Sequence, residues 1–367
     1  MNKKMEKQRV AVAMSGGIDS SVTALFLQEQ GYPLTGVTLR LWDYLSEGCE
    51  EKETGCCSMD AIMEARAFCN KIGISHHIVD IRDDFKSSVV QNFIDEYLDG
   101  RTPNPCVFCN PAIKWDKVLE KADAENCYYI ATGHYAKIKE ENGRWFVSKA
   151  DDDTKDQTYV LWKLTQNQLK RTLFPLGEMR KADIKQYAED KGFVRLAKKK
   201  ESQEVCFIPD NDYRNFLKKR VPELEQKVAG GSFINKDGKI LGKHNGYPFY
   251  TIGQRKGLQI ALGKPAYVIN IDKLTNTVTL GEKDDLLITH MQVDSWIGQK
   301  YETVPIGKEL LVKIRYNTPP SLCVVKAFEN GVLTIAFNEP VAAVTPGQSA
   351  VFYEGNDVVG GGLIRKN

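Results

Sequence analysis

Arg9-Val10-Ala11-Val12-Ala13-Met14-Ser15-Gly16-Gly17-Ile18-Asp19-Ser20-Ser21 is the stretch that decides the fold. Its first half is a short apolar run of the kind that makes a strand buried on both faces. Val22, Leu25 and Phe26 then recur at helical spacing as far as Gly31, a natural stop. A strand that turns through Ser-Gly-Gly into a helix points to an anion site. Glycine lets the backbone approach a phosphate closely and take φ > 0. The hydroxyls of Ser15 and Ser20, with the free N–H groups of the helix N-terminus, can then hold a pyrophosphate. A capped turn with no ligand is the other reading of the same residues. The spacing is neither that of the Walker loop, which needs Gly-Lys-Ser/Thr, nor that of the Gly-x-Gly-x-x-Gly dinucleotide turn.

Outward from this loop, apolar runs at 34–41, 74–81 and 128–131 read as further strands. Helical spacing joins them at Ile62, Ala65, Cys69 and Ile72, and again over 85–97 and 113–124. Strands alternating with helices predict an α/β domain, Rossmann-like, with a mostly parallel sheet covered on both faces. From about residue 230 the pattern changes to short β-branched runs between turns such as Asn235-Lys236-Asp237-Gly238 and Glu329-Asn330-Gly331. These suit short antiparallel strands. The expected division is 1–208, 209–282 and 283–367.

Composition agrees with a multi-domain globular protein. The chain has 367 residues, 42% hydrophobic and 27% charged, which excludes a disordered tail, a collagen-like rod or a disulfide mini-scaffold. No apolar run approaches the roughly 20 residues of a membrane span, and the first nine residues lack the apolar core of a secretory signal. Nine cysteines, an odd number scattered along the chain, fit a reducing, cytoplasmic compartment. Net charge is only +2, but between Lys163 and Arg220 15 Lys/Arg stand against 8 Asp/Glu. That block, with Lys198-Lys199-Lys200 and Lys218-Lys219-Arg220, reads either as a phosphate-binding face or as solvated helix surface.

Asn104-Pro105-Cys106-Val107-Phe108-Cys109-Asn110 is the second informative stretch. A Cys-x-x-Cys pair in a proline-stiffened polar turn can chelate a metal or form a redox disulfide. There is no second Cys-x-x-Cys, and the five histidines do not follow zinc-finger spacing. Cys206, in Val205-Cys206-Phe207-Ile208, is the natural third partner. Cys56-Cys57 reads as a spectator pair, and Cys49, Cys69, Cys127 and Cys323 as buried small hydrophobes.

The Ser-Gly-Gly-x-Asp-Ser loop resembles that of the N-type ATP pyrophosphatases, which cleave ATP between its α- and β-phosphates and transfer AMP to an oxygen. With Gly100-Arg101-Thr102-Pro103-Asn104-Pro105, Ala131-Thr132-Gly133-His134-Tyr135, Lys155-Asp156-Gln157, Val205–Ile208, Thr251–Gly257 and Pro340–Gln348, the whole chain resembles the tRNA-specific 2-thiouridylase family. The resemblance implies an ATP-pyrophosphatase domain, a small central tRNA-binding domain and a C-terminal β-barrel. It implies a tRNA-uridine 2-sulfurtransferase that adenylates the wobble uridine carbonyl oxygen and then replaces it by sulfur. Carried over by position, Ala13, Met14, Ser15, Gly16, Gly17, Ile18, Asp19 and Ser20 bind ATP, with Leu39 and Gly133 near the nucleotide. Asp19 helps hold Mg2+ or caps the helix. Cys206 carries a persulfide and Cys109 is the nucleophile that frees the product as a disulfide bond forms. Asn104, Pro105, Cys106, His134, Lys155, Asp156, Gln157, Arg315, Tyr316 and Gln348 lie on the tRNA path. The implied partners are the tRNA anticodon stem-loop and a sulfur-donor relay protein or cysteine desulfurase, with no membrane.

One departure matters. Many members carry an aspartate where this chain has Cys106, and an acid/base role cannot pass to a thiol unchanged. Cys106, Cys109 and Cys206 then form a three-thiolate set of the kind that holds a [4Fe–4S] cluster, so persulfide and cluster routes both stand. Two other functions compete with thiolation: a small-molecule AMP-forming ligase of the same loop family, and a non-catalytic, metal-containing nucleic-acid-binding protein.

Overall fold

The computed structural model describes residues 7–42, 59–199, 205–208 and 210–366. Chain packing divides it into two compact units, one of 1–88, 106–211 and 356–358, the other of 89–105, 212–355 and 359–367.

In the first unit β1 (Val10–Ala13) leads into α1 (Ile18–Glu29), followed by β2 (Leu34–Arg40), α2 (Met59–Lys71), β3 (Ser75–Asp80) and the short α3 (Arg82–Phe85). The helix continues through a π-type turn at Lys86–Val90 into α4 (Gln91–Leu98), which belongs to the second unit. Ser87 and Ser88 hydroxyls donate to the carbonyls of Asp83 and Asp84, competing with the regular ladder at that point. The chain returns to the first unit with α5 (Pro105–Cys109), a second π-type turn at Asn110–Trp115 and α6 (Asp116–Ala124). Pro111 has no N–H to give there, so the α-helical ladder is broken where it falls. Both helices therefore begin earlier than the apolar spacing predicts, at Arg82 and Pro105.

β4 (Tyr129–Ala131), the hairpin β5 (Ala136–Glu141) and β6 (Arg144–Lys149), α7 (Gln166–Lys170), β7 (Thr172–Leu173), α8 (Lys181–Asp190) and α9 (Val194–Ala197) complete the unit. The sheet is parallel, in the order β3-β2-β1-β4-β7. Val10, Ala11 and Val12 are all fully buried, the mark of a central strand covered on both faces. α1 and α2 pack on β1 to β3 while α6 packs on β1, β2 and β4. This is the doubly wound parallel sheet that the alternation predicts.

In the second unit α4 buries Phe93 and Tyr97 against α10 (Tyr213–Arg220), with Tyr97 stacked on Tyr213 at 4.5 Å. After α11 (Leu224–Lys227) comes a four-stranded sheet of β8 (Gly231–Ile234), β9 (Ile240–His244), β10 (Tyr267–Asp272) and β11 (Thr277–Gly281), in the order β10-β11-β8-β9. Six further strands, β12 (Leu287–Gly298), β13 (Glu309–Lys313), β14 (Ser321–Glu329), β15 (Val332–Ala342), β16 (Ser349–Glu354) and β17 (Asp357–Ile364), form a barrel closed by the β12–β17 pairing. Closure removes the open edges that a sheet of this length would otherwise expose. Inward-facing Val293, Leu310, Val312, Val325, Leu333, Ile335 and Phe352 fill it.

Candidate active site

The loop after β1 is built for an anion. Gly16 sits at φ +67°, and a Cβ there would lie 2.2 Å from the Ala61 carbonyl oxygen, so only glycine fits. Gly17 is the N-cap of α1 and no side chain caps the helix, which leaves the first-turn N–H groups open to a ligand. The capped-turn alternative is not what the chain adopts. Ser20 Oγ instead turns back, accepting from Ser15 N at 3.2 Å and donating to Gly17 O at 3.1 Å. Ser15 Oγ lies 3.3 Å from Ser20 Oγ, so the two hydroxyls flank one mouth.

Neighbouring strands close in on this loop. Met14 N donates to Val37 O, and Thr38 Oγ1 donates to Met14 O at 2.8 Å, placing the half-buried Leu39 at the C-terminal end of β2 beside the loop's strand. Gly133, just after β4, comes so close to α1 that a Cβ would lie 2.9 Å from Ser20 N. Ala13 to Ser20 and Gly133 are thus brought together at the C-terminal ends of parallel strands, where doubly wound sheets bind ligands.

Asp19 does not cap the helix. Its carboxylate accepts from Lys181 Nζ at 2.7 and 2.9 Å and from Tyr135 OH at 2.7 Å. Lys181 is largely buried, and its own N–H donates to Asp152 Oδ2, which holds the start of α8 and depresses the Asp152 carboxyl. Nothing in the sequence pairs Lys181 with Asp19 across 162 residues. The nearest local signal is Gly177, whose Cβ would lie 2.1 Å from Ala136 O, so that the turn before α8 must dock on β5. Lys199, from the basic block, is a second cation at the loop: its ammonium donates to Gly16 O at 3.0 Å and pairs with Glu64.

The basic block is divided between the two units. Lys199 stands at the phosphate loop in the first unit. Lys218 pairs with Glu225, and Lys218 and Arg220 lie over Phe249 and Phe216 in the second. Lys200 lies outside the described residues.

The thiols correct the sequence reading of a polar turn. Cys106 and Cys109 sit one turn apart on α5, Cys106 exposed and Cys109 only 4% exposed. Cys206 is half-buried, next to Phe207, which is locked among Trp42 and Phe85. Among the described residues no group of three Cys, His, Asp or Glu side chains is placed to hold a metal ion. Cys106, Cys109 and Cys206 are accordingly not gathered into one such group in this structure. Cys69, Cys127 and Cys323 are buried; burial pushes the Cys69 thiol up to about 11 and Cys323 to about 12, so they are inert. Cys49, Cys56 and Cys57 lie outside the described residues.

Several of the residues carried over to the tRNA path make hydrogen bonds within the protein. His134 packs against Trp115 and Phe174 and shares a 2.8 Å hydrogen bond with Thr132; desolvation first, then Lys114, depresses it to about 3, so it is neutral. Asp156 accepts from Thr158 Oγ1, and Gln157 bonds the Tyr135 main chain. Lys155 is half-buried in the same turn. Arg315 Nη2 donates to Ile252 O, Ala343 O and Thr345 Oγ1, and Gln348 Nε2 donates to Thr102 O at 2.8 Å and Pro103 O. Thr102 N donates to Pro346 O. Three stretches far apart in sequence, 100–105, 251–257 and 340–348, meet through these bonds in the second unit, and Asn104-Pro105 leads from them into Cys106. Tyr316 remains exposed.

A parallel sheet with an uncapped Ser-Gly-Gly loop on its first strand defines a nucleotide-binding domain of the ATP-pyrophosphatase kind. Family models match three consecutive stretches: the tRNA methyl transferase HUP domain over 8–210, the tRNA methyl transferase PRC-barrel domain over 214–282, and the aminomethyltransferase beta-barrel domain over 286–364. The tRNA-specific 2-thiouridylase MnmA of Cytophaga hutchinsonii is 52% identical over 363 residues, 99% of this chain and 98% of that protein. Those of Amoebophilus asiaticus and Salinibacter ruber are 53% and 48% identical, over 98% of this chain and 96% and 95% of theirs. The chain belongs to the tRNA-specific 2-thiouridylase family, an ATP-dependent one. Among the described residues no helix is long and apolar enough to cross a membrane.

Proposed function

We propose that this protein is a tRNA-uridine 2-sulfurtransferase acting on the wobble uridine of tRNA, with three working parts at 1–208, 209–282 and 283–367. What carries the reading is the anion loop and the thiol pair together in a chain collinear from end to end with 2-thiouridylases. A uracil carbonyl oxygen is a poor leaving group. The α-phosphorus of ATP bonds to that oxygen while its bond to the β-phosphate bridge breaks, and pyrophosphate leaves. The open N–H groups of α1, Ser15 and Ser20 hold the departing phosphates, with the cations of Lys199 and Lys181 at the same loop. Mg2+ bound with the nucleotide would offset phosphate charge, and Asp19 would be the carboxylate of this loop to hold it.

Sulfur then replaces the adenylated oxygen. The terminal sulfur of a Cys206 persulfide attacks C2 and AMP departs. The Cys109 thiolate attacks Cys206 Sγ, releasing 2-thiouridine and leaving a Cys109–Cys206 disulfide, which a two-electron thiol reductant resets. This route needs two thiols rather than three. A base within the anticodon stack must be extruded to react. A sulfur-donor relay protein or cysteine desulfurase loads Cys206 in the cytoplasm. The test is thiolation of tRNA by the purified protein with ATP, Mg2+ and a persulfide donor, read by mass spectrometry of digested nucleosides. Absence of 2-thiouridine with full sulfur loading would reject the assignment.

A further inference from the structure

We propose that Tyr135 is a positioning residue for the phosphate loop, its hydroxyl holding the Asp19 carboxylate at the mouth of the nucleotide site. The proposal rests on the reading of Asp19 as the carboxylate that meets the nucleotide. Tyr135 is 3% exposed and its ring lies in the core cluster with Ile18, Val22, Leu176 and Ile184. A phenol so deep needs a partner for its O–H. Here the partner is Asp19 Oδ1, 2.7 Å away, one residue into α1. Lys181 Nζ lies over the same ring at 5.5 Å and reaches both Asp19 oxygens. Oδ1 thus accepts from two side chains and Oδ2 from Lys181, so Oδ2 is the oxygen that can turn to a ligand while Oδ1 stays anchored.

Tyr135 is fixed at its other end as well. Its N–H donates to Gln157 Oε1 at 3.0 Å and its carbonyl accepts the Gln157 N–H at 3.0 Å. The turn that carries Lys155-Asp156-Gln157 therefore sets the main chain of Tyr135, and the hydroxyl transmits that position to Asp19. Phenylalanine fills nearly the same volume and keeps both main-chain bonds, so the hydroxyl can be removed alone.

The experiment measures Mg·ATP binding by titration calorimetry in the full chain for wild type, Tyr135→Phe, Asp19→Asn and the double variant, with tRNA affinity and thermal melts alongside. A charge-assisted hydrogen bond predicts a roughly tenfold rise in the Mg·ATP Kd for Tyr135→Phe, with tRNA affinity unchanged. In the Asp19→Asn background the added Tyr135→Phe change should have no further effect. An unchanged Kd in Tyr135→Phe, whether or not its melting point falls, overturns the positioning role and leaves packing only. An equal added loss in the Asp19→Asn background overturns the route through Asp19. If Asp19→Asn itself binds Mg·ATP as wild type does, the reading of Asp19 falls, and that is a different result from a weakened Asp19→Asn beside a normal Tyr135→Phe.

Discussion

Replacing Gly133 by alanine adds one methyl where the turn after β4 meets the first turn of α1. The new Cβ would stand 2.8 Å from the Asp19 carbonyl carbon, 2.9 Å from Asp19 Cβ and 2.9 Å from Ser20 N. Two of these are main-chain atoms of the first turn of α1, so no flexible side chain can yield. Reaching ordinary contact at 3.4 Å requires the Thr132–His134 loop and α1 to part by about 0.5 Å. Overpacking of this kind costs about 1–3 kcal/mol, a fall in melting temperature of about 5 °C for a unit of this size. A 1 Å misplacement of positioned groups can cost roughly a hundredfold, so half that predicts roughly a tenfold loss in kcat/KM for ATP. The assay is tRNA-dependent pyrophosphate release with ATP varied, beside a thermal melt and tRNA binding, which should not change. Gly31→Ala is the control: its φ is +80° but nothing lies within 4 Å, so it should cost stability through backbone strain alone and leave kinetics intact. A Gly133→Ala protein with wild-type melting and kinetics would refute the close approach.

Further outcomes follow from the same geometry. Lys181→Met strands the Asp19 carboxylate, which is partly solvated, so the loss should lie near 2 kcal/mol, between exposed and buried pairs; the double variant with Asp19→Asn should recover part of it in urea titrations, and strict additivity would count against the pair. Arg315→Ala removes donors to two carbonyls and a hydroxyl, so it should lower the melting temperature together with tRNA affinity; loss of affinity at unchanged stability would return Arg315 to a direct RNA contact. Glu354 is held down to about 2, by its Lys308 hydrogen bond first and then by Lys300 and Tyr301. A depressed carboxyl stabilises the fold above its unfolded value and loses that contribution as pH falls from about 4.5 to about 2, so Glu354→Gln should cost stability at pH 7 and converge on wild type near pH 2. Cys106→Ala should keep substantial tRNA thiolation while Cys109→Ala and Cys206→Ala lose it but still release pyrophosphate; inactivity of Cys106→Ala would restore a three-thiolate mechanism.

Sequence alone determined the architecture and where the Ser-Gly-Gly turn falls, because both are written in local pattern. The alternation of apolar strands with helices at 3.6 spacing predicts a parallel sheet, and Ser15–Ser20 marks the βα turn, where the absence of a side-chain cap and the approach of Ala61 to Gly16 come from the fold. The antiparallel strands of the barrel were legible in the same way, as short β-branched runs between turns. Partners brought from far along the chain were not legible. Asp19 read as a metal ligand or a helix cap, and only tertiary packing set Lys181 and Tyr135 upon it. Arg315 and Gln348 read as RNA contacts, and only the fold shows that they also donate to carbonyls at 252, 343, 102 and 103. The Cys-x-x-Cys pair read as an open turn, but α5 extends through it and buries Cys109 while exposing Cys106. In each case the deciding energy is a hydrogen bond or burial between residues separated by scores of positions, which periodicity and spacing do not encode.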